Sequence, residues 1–174
     1  MRVTVRPLLA TALACTLAAC SMPDTTMENG AIKLYGDVVT LHVDGAPQAD
    51  IASDGGFVID GKAVAITPAE RDLLAQYNRS VRAVRETGMA MGTAGIETAA
   101  KAIAAKASST PGKADEAAKT GASKMQDLTR DICKDTAAIK VAQDQLAAQL
   151  AAFKPYAGIV GNDDAADCAK GLKG

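Results

Sequence analysis

The chain changes its periodicity once, at Thr67-Pro68-Ala69-Glu70, and that border divides it into a strand-forming part and a helical part. The border itself reads as a helix start. Thr67 is a good N-cap, Pro68 suits the first helical position, and Glu70 completes a capping box. Before it, Val38-Val39-Thr40-Leu41-His42-Val43 is β-branched and closes on Asp44-Gly45. Phe57-Val58-Ile59 and Lys62-Ala63-Val64-Ala65-Ile66 flank Asp60-Gly61, whose residue types favour a tight hairpin turn with both central φ angles positive. With residues 32–35 and 48–52 added, residues 31–66 are expected to form an antiparallel meander of about four strands, too thin to stand alone.

Residues 67–174 are expected to cover it as a helical hairpin with a C-terminal tail. Leu74, Tyr77, Val81, Val84, Gly88, Met91 and Gly95 follow three-and-four spacing on a first helix. Ser108-Ser109-Thr110-Pro111-Gly112 interrupts the chain. Met125, Ile132, Ile139, Leu146 and Phe153 then recur at sevens on a second helix, expected to run to Pro155. A short final helix is expected near residues 163–172. The fold class is therefore α+β, with residues 31–174 as one domain.

Composition narrows the chemistry. Nineteen basic against 20 acidic side chains give a net charge of −1, which argues against a nucleic-acid partner. Aromatics make up 3% of the chain and tryptophan is absent, while alanine is abundant, so the core must rest on Leu, Ile, Val and Met. The single histidine, His42, alternates with Leu41 and Val43 on a strand, which places it on the polar face. Asp50 with Asp54-Gly55, and Asn162-Asp163-Asp164 with Asp167, lack the spacing of a calcium loop. No phosphate-binding glycine loop or nucleophile elbow is present in the sequence. No cofactor or metal is expected.

Arg2 and Arg6 precede an apolar run that ends at Leu17-Ala18-Ala19-Cys20, after which Ser21-Met22-Pro23-Asp24 is polar. The run is too short to span a bilayer. This segment resembles a bacterial lipoprotein precursor: an aliphatic residue, two small residues and a cysteine form a lipobox. The resemblance implies a signal peptide over residues 1–19, lipidation at Cys20, and a lipidated tether over residues 20–30. With no aspartate after the cysteine, it implies the periplasmic face of the outer membrane. Cys15 is a poorer lipidation site, because Ala12 takes the aliphatic position. Cys133 and Cys168 then remain, and a disulfide between them suits an oxidising compartment. It would close a loop of about 35 residues, adding about 3–4 kcal/mol by chain entropy.

Gly88-Met89-Ala90-Met91-Gly92-Thr93-Ala94-Gly95 sits inside the first helix, where each glycine costs about 1 kcal/mol relative to alanine. Gly88, Met91, Gly92 and Gly95 are expected to form a smooth face. Close packing against the second helix is the preferred reading, and a lipid-contact surface is the alternative. Arg79, Arg82 and Arg85 step along the same helix and read as a solvated face.

Asp54-Gly55-Gly56-Phe57-Val58-Ile59-Asp60-Gly61-Lys62-Ala63-Val64-Ala65-Ile66-Thr67-Pro68, followed by Leu73-Leu74-Ala75-Gln76-Tyr77, is similar to the YggN-like family of proteobacterial envelope proteins. The similarity covers about residues 38–105. It implies the β-then-α layout and an envelope location, and carries no catalytic motif. The expected function is a non-enzymatic, membrane-anchored protein presenting a helical surface to an envelope protein. The alternatives are a lipid or hydrophobic-ligand binder acting through residues 88–96, and an unrecognised hydrolase.

Overall fold

The computed structural model describes residues 25–107, 112–163 and 168. Six antiparallel strands follow one another as a meander: β1 (Thr25–Met27), β2 (Ile32–Tyr35), β3 (Val38–Leu41), β4 (Ala49–Ile51), β5 (Phe57–Ile59) and β6 (Lys62–Ala63). Two long helices come next, α1 (Pro68–Ala107) and α2 (Lys113–Gln149), then a 3-10 turn over Ala151–Tyr156. The α+β layout holds: a small sheet, then a helical hairpin.

Alternation decides which face of the sheet is covered. Ile32, Leu41 and Ala49 lie in one row across the strands, and Leu34, Val39, Ile51 and Phe57 lie in the next. All seven are buried, whereas Lys33, Asp50 and Val58 on the opposite face are only half-buried. Thr40 stabilises that outer face by donating its hydroxyl to Asp50 Oδ1 at 2.7 Å. The Asp60-Gly61 turn forms as its residue types require, with φ of 49° and 73° and Ile59 paired to Lys62. Asp60 is among the few side-chain-bearing residue types that enter the left-handed region readily, and Gly61 does so freely.

The sheet begins at Thr25 rather than Ala31. Part of the expected tether is therefore β1, paired to β2 with Thr25 opposite Leu34. An edge strand needs only one bonded side, so polar Thr25 and Thr26 satisfy it without an apolar pattern. The capping box at the start of α1 is present: the Thr67 backbone N–H donates to Glu70 Oε2 at 2.6 Å, and the Glu70 N–H to Thr67 Oγ1 at 3.3 Å.

Only the root of the hairpin lies over the sheet. Leu74, Tyr77 and Val81 from α1 and Ile139, Ala142 and Leu146 from α2 join the sheet residues in one core. The chain then turns at Leu150, whose extended backbone (φ −109°, ψ 102°) ends α2 before the expected stop at Pro155. That break lets Leu150, Phe153 and Tyr156 all face inward. Four of the five aromatic side chains meet here: Phe57, Tyr77, Phe153 and Tyr156, with ring centroids 5.7–6.4 Å apart. Edge-to-face pairs at these spacings add about 0.5–1.5 kcal/mol each beyond area burial. The scarce aromatics are thus spent at one point, the junction of sheet, hairpin and tail.

Gln143 fixes the tail from below. Fully buried, it donates through Nε2 to the carbonyls of Ala157 at 2.7 Å and Val160 at 3.0 Å, and its Oε1 accepts the Val160 N–H at 3.0 Å. Cys133 and Cys168 form the expected disulfide, with Cα atoms 5.4 Å apart. Asn162, Asp163 and Cys168 are helical, and the rest of the expected final helix lies outside the described residues.

Candidate functional site: the helical arm

Beyond Arg82 the hairpin leaves the sheet and continues as an arm. The departure point is marked by Asn78, which donates to the carbonyls of Asp37 and Ile51 at 2.9 Å each, and by the Arg82–Asp37 ion pair at 3.5 Å. From Arg85 to the end of α1 at Ala107 the arm extends about 33 Å, at about 1.5 Å per residue. Its seam is thin. Ala94 is the buried residue of α1 in this stretch, and Gly121 of α2 lies directly on Thr98. A Cβ added at Gly121 would stand 2.3 Å from Thr98 Cγ2 and 2.4 Å from Oγ1. The Thr98 hydroxyl is committed to the Ala94 carbonyl at 2.7 Å, and a Glu97–Lys124 ion pair at 3.6 Å closes one side.

The helix-packing glycine is therefore Gly121, which sequence reasoning missed. It stands in Lys119-Thr120-Gly121-Ala122-Ser123, where no apolar repeat draws attention to it. The expected packing glycines are elsewhere. Gly88, Gly92 and Gly95 are exposed, and an added Cβ at any of them would meet nothing within 4 Å. The preferred reading, close packing of the second helix on this face, is overturned. Nor do the four residues share one face. Met91 is half-buried, seven residues before Thr98 and so on the α2 side, whereas the glycines look away from α2.

The reason lies in the heptads. Leu74, Val81, Gly88 and Gly95 are spaced by seven and share one side of α1. The first two are buried on the sheet and the last two are bare, because the sheet has ended. Beside this shelf stand Met89, Ile96 and Ile103, 61%, 74% and 70% exposed and again spaced by seven. They are three of the large apolar side chains most exposed among the described residues.

A groove of about 540 Å³ runs between the helices near the tip, walled by Glu97, Lys101, Glu116 and Lys124 above a floor of Ala94, Thr98 and Gly121. Neither this groove nor a second one of about 510 Å³ at His42, Lys33 and Pro155 is lined by Gly88, Met91, Gly92 or Gly95. Among the described residues, no group of His, Cys, Asp or Glu is arranged to hold a metal ion. Asp50 and Asp54 are occupied locally, Asp50 by Thr40 and Gln48 and Asp54 by the Gly56 N–H at 2.8 Å. Burial raises the Tyr77 hydroxyl's pKa far above its usual value, with Glu28 adding to the effect, and that hydroxyl has no hydrogen-bond partner. Tyr77 is a fully buried core residue. No helix among the described residues is long and apolar enough to cross a membrane, and Cys20 lies outside them. No family model, curated protein or solved structure matches the chain.

Proposed function

We propose that this chain is a lipid-anchored, non-enzymatic protein of the outer membrane's periplasmic face, whose helical arm is a docking surface for an envelope protein. The observation that carries the docking reading is the bare side of α1: Met89, Ile96 and Ile103 exposed in register beside Gly88, Gly92 and Gly95. Solvent-exposed apolar side chains aligned on one helix face mark an interaction site more often than scattered ones do. The anchoring reading rests on Leu17-Ala18-Ala19-Cys20 and the charged, then apolar, segment before it. Because β1 starts at Thr25, only residues 21–24 would separate the lipid from the sheet, a reach of at most about 18 Å. An anchored molecule of this kind would hold its sheet close to the membrane and use the arm to extend.

A lipid or hydrophobic ligand on the same shelf is the second reading, favoured by the shelf being uncovered. A short groove-free face is a weaker fit to a small ligand than to another helix, since ligand sites are concave. Two measurements test the first reading. Cys20→Ala is expected to abolish labelled-palmitate incorporation and to release the protein from the outer-membrane fraction. Photo-reactive side chains at Met89 or Ile103 in cells are expected to join one protein species, with Val141 on the outer side of α2 as the negative control. Retained label and fractionation in Cys20→Ala refute the anchor; equal labelling from Val141 refutes the docking face.

A further inference from the structure

We propose that the groove beside the β1–β2 turn binds a small zwitterion, a free amino acid or short peptide carrying an ammonium, a carboxylate and an apolar side chain. The site shares no residue with the arm and goes beyond the docking reading above.

Three stretches of chain wall the groove, residues 29–33, 42–44 and 155–159, around about 510 Å³, within the roughly 300–1,000 Å³ of small-molecule sites. Each wall is fixed by bonds of its own. The Ala31 N–H donates to the Glu28 carbonyl at 3.0 Å, and the Ala31 carbonyl accepts the His42 N–H at 2.8 Å, carrying the β2–β3 ladder one residue beyond the strands. With Lys33 opposite Thr40, alternation sets Lys33 and His42 on the same outer face as diagonal neighbours, about 7–8 Å apart. Asp44 sits in the turn closed by the Ala46 N–H on the Val43 carbonyl at 3.0 Å, with Gly45 at φ 79°. The third wall is pinned on both sides, because Gln143 bonds Ala157 and Val160, which flank Gly158 and Ile159. The Tyr156 hydroxyl ties that wall to the loop after Asp44 by donating to the Pro47 carbonyl at 2.7 Å. A preformed site of this kind loses little binding energy to ordering.

The polar groups of the groove require both signs of charge in what they hold. Lys33, His42 and Asp44 line the same space, and among the described residues none of their side chains has an ion-pair or hydrogen-bond partner. In the groove near the end of the arm, by contrast, Glu97 and Lys124 satisfy each other at 3.6 Å. A simple anion at Lys33 and His42 is repelled by Asp44, and a simple cation at Asp44 is repelled by Lys33. A zwitterion answers both. Its carboxylate accepts from Lys33 Nζ and the His42 ring, and its ammonium donates to the Asp44 carboxylate and the Asn29 amide oxygen. Such charge-assisted bonds are stronger than neutral ones. Half-buried Val43 and Ile159 add an apolar wall, which suits the side chain of an amino acid and has no use for a lipid headgroup.

The test is isothermal titration calorimetry of the full-length chain in detergent with leucine, alanyl-leucine, the N-acetyl and C-terminal amide forms of alanyl-leucine, and phosphoethanolamine. Alanyl-leucine or leucine is expected to bind at one site per chain. Blocking either end of alanyl-leucine is expected to weaken binding at least about tenfold, the scale of one charge-assisted bond. Lys33→Met is expected to weaken alanyl-leucine by the same factor and leave the amide unaffected. Asp44→Asn is expected to weaken alanyl-leucine likewise and leave the N-acetyl form unaffected. Neither residue belongs to the core, so the circular dichroism spectrum and Tm of both variants are expected to match the wild type. Ile96→Lys on the arm is expected to bind alanyl-leucine normally, which separates this site from the docking face. No saturable heat with either leucine or alanyl-leucine overturns the proposal, as does full affinity in Lys33→Met or Asp44→Asn. Equal binding of the blocked forms, or tighter binding of phosphoethanolamine, overturns the assignment to an amino-acid zwitterion.

Discussion

Four glycines lie within the two long helices at Gly88, Gly92, Gly95 and Gly121, and the same substitution is expected to stabilise the first three and not the fourth. Alanine in a helix interior is favoured over glycine by about 1 kcal/mol. At Gly88, Gly92 and Gly95 the new methyl group meets nothing within 4 Å, so the full gain of about 1 kcal/mol is expected. At Gly121 the methyl lands 2.3 Å from Thr98 Cγ2, 2.4 Å from Oγ1 and 2.9 Å from Cβ. Turning the Thr98 side chain breaks its 2.7 Å bond to the Ala94 carbonyl and leaves the Cβ contact in place. The helices must therefore separate at the seam. Overpacking of this kind costs about 1–3 kcal/mol, which offsets the propensity gain of about 1 kcal/mol and leaves Gly121→Ala short of the stabilisation at the other three by about 1–3 kcal/mol, for a net destabilisation of up to about 2 kcal/mol. Adding Thr98→Ala removes the two nearest atoms, and the double mutant is expected to recover at least about 1 kcal/mol of coupling. The assay is urea unfolding followed by circular dichroism. A shift of about 2–4 °C in Tm per kcal/mol is the thermal equivalent. If Gly121→Ala stabilises the protein as Gly88→Ala does, Thr98 and Gly121 are not in contact and the hairpin register is wrong.

Other outcomes follow from the same contacts. Reducing the Cys133–Cys168 bond, or replacing both with serine, is expected to lower stability by about 3–4 kcal/mol, read as a drop in Tm with and without reductant. Gln143→Leu keeps the volume but strips the Val160 N–H and the Ala157 and Val160 carbonyls of their partner; a loss of about 2–4 kcal/mol is expected by urea titration, and a neutral result refutes the clamp. Tyr77 and Tyr156 both have their pKa raised by burial. The folded state thus holds those protons more tightly than the unfolded chain. Their contribution is fully present below the ordinary tyrosine pKa of 10.0 and is lost as pH rises above it, for Tyr77 by about 1.4 kcal/mol per pH unit. Tyr77→Phe is expected to remove part of that alkaline slope at little cost at neutral pH, since the hydroxyl it deletes has no partner.

What the sequence revealed, and what it hid, follows from where the physics is local. The Asp60-Gly61 hairpin and the Thr67–Glu70 cap were readable because each depends on a few adjacent residues and their backbone preferences. The seven-residue row on α2 was readable because Ile139 and Leu146 are large and regularly spaced. β1 was not, because an edge strand supported from one side needs no apolar alternation. The glycine face was assigned to the wrong neighbour because periodicity gives a direction around a helix but not the length of what lies against it. Leu74, Val81, Gly88 and Gly95 share one direction, and only the three-dimensional extent of the sheet separates the covered pair from the bare pair. Gln143 was unreadable for a further reason: a buried, fully bonded glutamine and a solvated one look alike in a helix, and its three partners are 14 and 17 residues away.

The thinness of the arm's seam has a consequence for how the molecule opens. With Ala94 as the buried α1 residue between Val81 and the end of the helix at Ala107, fraying is expected to begin at the far end of the arm and travel inward at low free energy. Cys133 stands where α2 approaches the sheet, bonded to the tail, and just beyond it the buried run Thr136, Ile139, Ala142, Gln143 and Leu146 begins. An opening helix therefore meets a covalent stop and then a dense core within a few residues. Amide exchange along each helix should divide into two cooperative units at this line, a fast outer one and a slow inner one. The arm would then dissolve and re-form many times within the lifetime of a single folded base.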